Sequence, residues 1–295
     1  MKKNKIKILV TGSKGLIGSE FLNQLEKKDY ILKGIDIETD ILSKKFLIQL
    51  NNFNPKIIIH CASHPGGLSF VDPRKNILIN YIGTLNIIKW CSENKCKLIF
   101  LSSSAIYGER KKKIKIKEND PLEPETIYGI NKLAIEKSII SYSKNFKLDW
   151  IIFRLFATFG HGHKKNNYQG IVNIILSQLK ISNKVVFKGS IKRMRSIIYV
   201  KDAVNIMLNI IFKKINKKII NISSGKNVSI KDLITIVEKK LRKKIYIKTK
   251  KKTPGDPLYN LANVNFMKKI CKFKNNYNVE KGIEETLKLK KFKVY

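Results

Sequence analysis

Acidic residues are scarce in this chain. Its 295 residues hold 22 Asp and Glu against 60 Lys and Arg, a net charge of +38. So basic a surface attracts anions. The lysines are spread through nearly every segment, as a bias toward Lys, Ile and Asn spreads them. Only Lys111 to Lys113 and Lys248 to Lys252 form local clusters. Neither has the interleaved aromatics that stack bases, so no specific nucleic-acid partner is expected. Cysteine is nearly absent: Cys61, Cys91, Cys96 and Cys271 make no C-x-x-C pair. That argues against a zinc site and for buried free thiols. His161 and His163 lack further ligands nearby and read as loop residues, so no metal is expected. No run of ~18 apolar residues exists, which excludes a membrane-spanning helix. The first residues enter a strand directly, and their apolar part is too short for a signal peptide. The expected compartment is the cytoplasm. No internal repeat and no disordered tail is visible.

What is present is a chain with 43% hydrophobic residues. That suits one large α/β unit or two joined domains. The segment from Lys97 to Lys132 organises the rest. Lys97-Leu-Ile-Phe-Leu101 reads as a buried parallel strand. Ser102, Ser103 and Ser104 follow, then Ala105 and the stretch to Gly108. A polar insert leads to a helix over Thr126 to Ser143 carrying Tyr128 and Lys132 four apart, on one face. A free tyrosine has a pKa near ~10, too high for a neutral-pH base. A lysine beside it is expected to favour the phenolate, and a serine at the strand end can pass a proton. Together they suit oxidation of a sugar or alcohol carbinol.

Upstream, Lys5 to Val10 reads as a strand, followed by Thr11-Gly-Ser-Lys-Gly-Leu-Ile-Gly18 opening a helix to Leu25. Gly12 permits a tight turn, Gly15 lets a pyrophosphate approach, and Gly18 lets helix pack on strand. The amides around Leu16 and Ile17 open the helix toward phosphate. A second strand, Tyr30 to Ile35, ends at Asp36, placed to bind an adenosine ribose. Its carboxylate repels a 2′-phosphate, which favours NAD over NADP. No arginine follows it, so a 2′-phosphate is expected to meet Asp36 and Glu38 and no cation. Asp40 and Ile41 either contact adenine, or Asp40 caps a helix over Ser43 to Asn51.

Lys56 to Ser63 is another buried strand, whose end at Cys61, Ala62 and Ser63 faces the ligand crevice of a doubly wound sheet. His64-Pro-Gly-Gly67 continues over that crevice. Pro73 to Glu93 reads as a helix in which Asn80 and Gly83 are poor helix formers with packing or backbone roles. Asp149 to Phe156 is the next strand. Further on come a helix over Ile171 to Ile181, a strand over Val185 to Lys188 and two arginines, Arg193 and Arg195, before a strand. A helix from Asp202 to Phe212, a strand over Lys218 to Ile222 and a helix capped by Ser229 follow. A Pro254-Gly-Asp256 loop and a last helix over Val279 to Leu289 complete the order.

These motifs together resemble the extended short-chain dehydrogenase/reductase family, the NAD-dependent sugar-nucleotide epimerases and dehydratases. The resemblance spans essentially the whole chain. It rests on Thr11 to Gly18, His60-Cys-Ala-Ser63, Asn80-x-x-Gly-Thr84, Ser102 to Gly108, Tyr128-x-x-x-Lys132, Arg195-x-x-x-Tyr-Val-x-Asp202, Asn221-Ile-x-x-Gly225 and Pro254-Gly-Asp256. It implies a Rossmann-type doubly wound parallel sheet over residues 1–160, with returning elements near 197–223, holding NAD. A smaller substrate domain, mainly 161–295, holds a nucleotide-diphosphate sugar. It also implies a homodimer built on the helices Pro73 to Glu93 and Thr126 to Ser143.

By position Ser103 matches the family's catalytic serine or threonine, with Ser104 the runner-up. Tyr128 and Lys132 complete the set, and Lys132 also binds the nicotinamide ribose. Ser102, Asn80 and Phe156 join the cofactor residues. His64, Ser104, Ala105, Arg193, Arg195 and Asp256 face substrate, with Arg195 on the diphosphate. The chain departs from the family at Ala157, commonly Asn, at Ser196, often Asp, and at Thr253, usually Arg. Lys252 or Arg193 is then left to take over a phosphate contact. Ser104 and Ala105 stand where dehydratases carry Asp-Glu. The expectation is therefore an epimerase acting at C4 through a transient keto sugar, with a dehydratase or 4-ketoreductase as the alternative. From another class, the alternative is a nucleotide- or nucleic-acid-binding protein.

Overall fold

The computed structural model describes residues 5–110, 112–161, 170–253, 255–273 and 275–289. Lys111, His163 and Pro254 of the motifs above lie outside them. Strands β1 (Lys7–Thr11), β2 (Ile31–Ile35), β3 (Ile57–His60), β4 (Lys97–Ser103) and β5 (Trp150–Leu155) line up in the order β2-β1-β3-β4-β5. All pairings are parallel. Three shorter strands intervene, β6 (Ala157–Phe159), β7 (Lys184–Lys188) and β8 (Met194–Tyr199). The chain then returns and adds β9 (Lys218–Ile222) beside β5, again parallel.

The apolar strand runs look continuous, yet they sort by alternation. Ile8, Val10, Ile99, Leu101, Ile151 and Phe153 enter one core; Leu9, Leu98, Phe100, Trp150 and Ile152 enter the other. Helices α1 (Leu16–Leu25) and α7 (Val200–Ile211) cover the first face. The second is covered by α2 (Lys44–Phe53), α4 (Gly83–Glu93) and α5 (Ile127–Phe146). Ser43, not Asp40, caps α2, accepting from Phe46 N, while Asp40 Oδ1 accepts from Leu42 N at 2.9 Å.

The expected helix from Pro73 is interrupted. Helix α3 (Pro73–Asn76) widens into a π-helical stretch, Ile77–Ile82, before α4 resumes at Gly83. Gly83 answers to packing: a Cβ there would meet Ile41 Cδ1 at 2.5 Å. Thr84 turns its hydroxyl back onto Asn80 O at 2.5 Å.

Elements after β5 build a third core, where Val172, Ile175, Leu176, Val185, Phe187, Leu233 and Ile234 meet. It is framed by α6 (Ile171–Leu179) and α8 (Ile230–Leu241). Helix α8 starts in a full capping box between Ser229 and Asp232. Here β8 pairs with β6, β10 (Asn227–Ser229) and β12 (Tyr259–Asn260), and β7 pairs with β11 (Tyr246–Lys250). Helix α7 begins at Val200, two residues before expected, and Asp202 in its first turn accepts from Tyr277 N. Helices α9 (Asn265–Ile270) and α10 (Val279–Leu289) close the described chain.

Candidate active site

The strand order reverses between β1 and β3, so a crevice opens outside the carboxyl ends of the strands there. It holds a cavity of about 730 Å³. Its lining includes Gly12, Gly15, Leu16, Ile17, Gly18, Asp36, Asp40, Ile41, Cys61, Ala62, Ser63, His64, Ser102, Ser103, Tyr128, Lys132 and Phe156. These come from six separate stretches of sequence and meet in one wall. The glycines are there for contact distances. A Cβ on Gly18 would lie 2.2 Å from Gly12 O, and Gly12, at φ +64°, would press one against Ala62 N at 2.7 Å.

At the β2 end, Asp36 Oδ2 accepts from Lys14 N at 2.7 Å and Oδ1 from Ile37 N at 2.8 Å. The expectation of no cation near it is corrected: Lys14 Nζ lies 2.9 Å from Glu38. The signal was in the glycine turn itself, since Lys14 is one of its variable positions.

At the β4 end, Tyr128 and Lys132 share a face of α5, which Thr126 caps by accepting from Gly129 N at 3.0 Å. Burial raises the Tyr128 phenol above its ordinary value, while hydrogen bonding by Ser103 and Ser63 pulls it back. This corrects the expected lysine effect. Lys132 Nζ donates to Leu101 O at 2.8 Å and lies 5.6 Å from the Tyr128 ring centre. Burial also pushes Lys132 down to about 8, against the pull of Cys61 and Glu136.

Ser102 borders the cavity, but its hydroxyl points into the core, donating to Glu136 at 2.5 Å. Glu136 is held by Arg154 in a fully buried ion pair at 2.7 Å. Arg154 also reaches Tyr107 Oη at 2.8 Å and Glu118 O at 2.7 Å. Nothing in the sequence marked Glu136 except its place one turn after Lys132.

Asn80 does not line the cavity. Its Oδ1 accepts from His64 N at 2.6 Å and Ser63 Oγ at 3.1 Å, and its Nδ2 donates to His64 O at 3.1 Å. It holds the loop that forms the wall. Below it, Thr84 donates to Asn80 O, so His60 Nε2 carries the proton given to Thr84 at 2.9 Å, and Nδ1 takes one from Thr11 at 2.7 Å. Burial drives His60 down to about 3, and it stays neutral. Lys75, Leu68, Ile79 and Thr158 also line the cavity, and sequence reasoning missed them. Loop and helix residues of mixed type carry no pattern that singles them out.

Ser104, Ala105, Arg193, Arg195 and Asp256 stand outside this cavity. Ser104 Oγ accepts from Asn260 Nδ2 at 3.0 Å, and Ala105 N donates to Ser103 Oγ at 3.2 Å. Arg193 and Arg195 both pair with Asp256. Two nearly buried guanidinium groups then share one carboxylate, and burial together with Arg193 lowers Arg195 to about 10. Lys252 is committed to Glu109 at 2.8 Å. No group of three or more His, Cys, Asp or Glu able to hold a metal exists among the described residues.

A glycine cradle against a helix N-terminus, a carboxylate at the second strand and a long shared cavity define a dinucleotide site. A family model described as the NAD dependent epimerase/dehydratase family matches residues 8–223, and the chain belongs to that family. Its cofactor is NAD. Gly12, Gly15, Gly18, Asp36, Lys132 and Phe156 all line the one cavity.

Relatives agree across most of the length. A dTDP-4-dehydro-6-deoxyglucose reductase from Escherichia coli is 27% identical over 89% of each chain. A putative UDP-glucose 4-epimerase from Methanocaldococcus jannaschii is 26% identical over 78% of this chain and 81% of its own. In fold, the chain matches a UDP-glucose 4-epimerase from Thermotoga maritima with a TM-score of 0.91. That match covers 97% of this chain and 99% of the other at 21% identity.

Proposed function

We propose that the protein epimerises a nucleotide-diphosphate sugar at C4 through a transient 4-keto sugar. The observation that carries this is the meeting of Ser103, Tyr128 and Lys132 at one end of the NAD cavity, with Glu136 buried behind Lys132 and no carboxylate in the described wall next to them. The acids among the described lining residues, Asp36 and Asp40, belong to the segment that follows β2. NAD held in this cavity would supply a hydride acceptor that can also give the hydride back. Tyr128 takes the C4 hydroxyl proton, through or beside Ser103, as the C4–H electron pair leaves and the carbonyl forms. Turning of the sugar in its pocket presents the other face, and the proton returns from Tyr128. Water elimination across C5–C6 needs an added acid and base, and Ser104 and Ala105 provide neither. Two buried arginines sharing Asp256 carry an uncompensated positive charge, which supports a diphosphate contact there.

A 4-ketoreductase is the second reading, favoured by the likeness to the E. coli reductase. The same three residues serve it, with hydride supplied rather than recycled. The test is a panel of nucleotide sugars, including C4-deuterated ones, followed by NMR. Epimerisation keeps the label at C4 and admits no solvent deuterium at C3 or C5. A 4-keto-6-deoxy product, or solvent deuterium at C5, refutes it; net consumption of NADH with a 4-keto substrate selects the reductase.

The same reading includes a homodimer and a cytoplasmic enzyme. The π-helical stretch and α5 leave Ile77, Leu78, Ile82 and Ile130 exposed, apolar side chains that suit burial against a second copy. The four cysteines are free thiols, in keeping with a reducing compartment. Analytical ultracentrifugation checks the dimer, and a monomer at micromolar concentration removes it.

A further inference from the structure

We propose that Ser63 is a second phenolate-stabilising hydroxyl of this site, acting on Tyr128 alongside Ser103. The inference rests on the reading of Tyr128 as the base. Ser63, Ser103 and Tyr128 line the same cavity, Ser63 at the end of β3 and Ser103 at the end of β4, neighbouring strands. The loop after Ser63 lies flat on the tyrosine. A Cβ on Gly66 would sit 3.0 Å from Tyr128 Cδ1, so only glycine allows that approach without a shift. Both hydroxyls share the cavity wall with the phenol, and hydrogen bonding from each favours its ionised form.

Each serine is free to do this for a different reason. Ser103 Oγ accepts from Ala105 N at 3.2 Å, which leaves its proton for the phenolate. Ser63 donates to Asn80 Oδ1 at 3.1 Å and more weakly to His64 O at 3.3 Å. Both acceptors keep another donor when Ser63 turns away: Asn80 Oδ1 holds His64 N, and His64 O holds Asn80 Nδ2. The Ser63 hydroxyl can therefore accept from the phenol and, after a rotation, donate to the phenolate, with Asn80 satisfied either way. Lys132 spends one of its three donors on Leu101 O and acts on the phenol as a nearby charge, 5.6 Å from the ring centre. Two neutral donors on one buried oxygen give what a single serine cannot in so dry a place.

The test is a direct titration of Tyr128. The protein is labelled with 3-fluorotyrosine, whose phenol is more acidic, and the Tyr128 ¹⁹F resonance is assigned by its loss in Tyr128→Phe. Ser63→Ala and Ser103→Ala should each move the Tyr128 transition to higher pH, and the double variant further than either. Ser63→Thr should restore the wild-type position. The remaining fluorotyrosine resonances report the fold of each variant. Turnover of the substrate found in the panel should fall about tenfold in Ser63→Ala, with an unchanged KM. A Ser63→Ala transition coincident with wild type overturns the proposal. Full turnover in Tyr128→Phe would instead remove the base itself, and the titration would still decide Ser63.

Discussion

Replacing Asp36 with serine should collapse the preference for NAD over NADP. NADP differs by a 2′-phosphate carrying about −1.5 to −2 charges. Asp36 is fixed by two backbone amides, Lys14 N and Ile37 N, so its carboxylate cannot swing aside. A unit charge pair about 4 Å apart costs ~1 kcal/mol in water and ~4 kcal/mol near a protein surface. The crevice is open and salt screens it over about 8 Å, so the lower figure applies to each charge. Roughly 1.5–2 kcal/mol then separates the cofactors, a preference of ~13- to 30-fold. Lys14 works against this, but its ammonium is engaged by Glu38 at 2.9 Å. Asp36→Ser should bring the two affinities within about fivefold, and adding Glu38→Gln should tip them toward NADP by releasing Lys14. Calorimetry with both cofactors reads this. The ratio is the informative quantity, since Asp36→Ser also loses ribose hydrogen bonds. The wild-type ratio should widen at ~0.01 M salt. An unchanged ratio in Asp36→Ser would mean that Asp36 does not face the ribose.

Tyr128→Phe should lower turnover by ~10² or more while NAD binding survives, because one hydroxyl is lost and no volume; near-normal turnover would remove the central assignment. Glu136→Gln should cost about 3–5 kcal/mol in urea unfolding, since it leaves Arg154 charged and buried. The joint change Glu136→Leu with Arg154→Met should cost less than the single one, and a single-variant loss below ~1 kcal/mol would reduce the pair to a surface-like contact. Lys132 is held near 8 in the fold and near ~10.4 unfolded, so between these values the unfolded chain binds more protons and stability rises with pH. Without cofactor, wild type should gain up to roughly 3 kcal/mol on Lys132→Met between pH ~8 and ~10.4, and a constant difference would contradict the burial of the ammonium.

Residues that act through spacing were legible in the sequence. Gly12, Gly15 and Gly18 recur at fixed offsets because the turn and the helix start demand it, and Asp36 ends the next strand for the same reason. Tyr128 and Lys132 declare themselves as one helical face. Partners that meet across elements were not legible. Glu136 and Arg154 are 18 apart in sequence and belong to a helix and a strand, so only the packing of α5 on the sheet brings them together. Asn80 weakens a helix, which points to a packing or backbone role, and its amide braces the backbone of a loop sixteen residues away. Asp256 was expected to meet substrate, yet it already pairs with both arginines. The direction of the Tyr128 shift has a related cause: sequence spacing shows that a lysine is near, but not that burial outweighs what lowers the phenol.

The electrostatics of the cavity then separate its two ends. At the β2 end the carboxylates of Asp36 and Asp40 are held by backbone amides and stay at the edge of water. At the β4 end burial works against charge on almost every group. It lifts Tyr128 and Cys61, lowers His64, and drives His60 down to about 3. Of these groups Lys132 alone carries a charge at neutral pH, and it does so with Glu136 behind it and a carbonyl in front. Such a place suits a reaction in which hydride and proton leave one carbinol together, because no net charge is stranded in the dry end. It does not suit an elimination that needs a standing carboxylate base next to C5. The chemistry proposed for this chain therefore follows as much from which groups burial has silenced as from the three residues that remain able to move a proton.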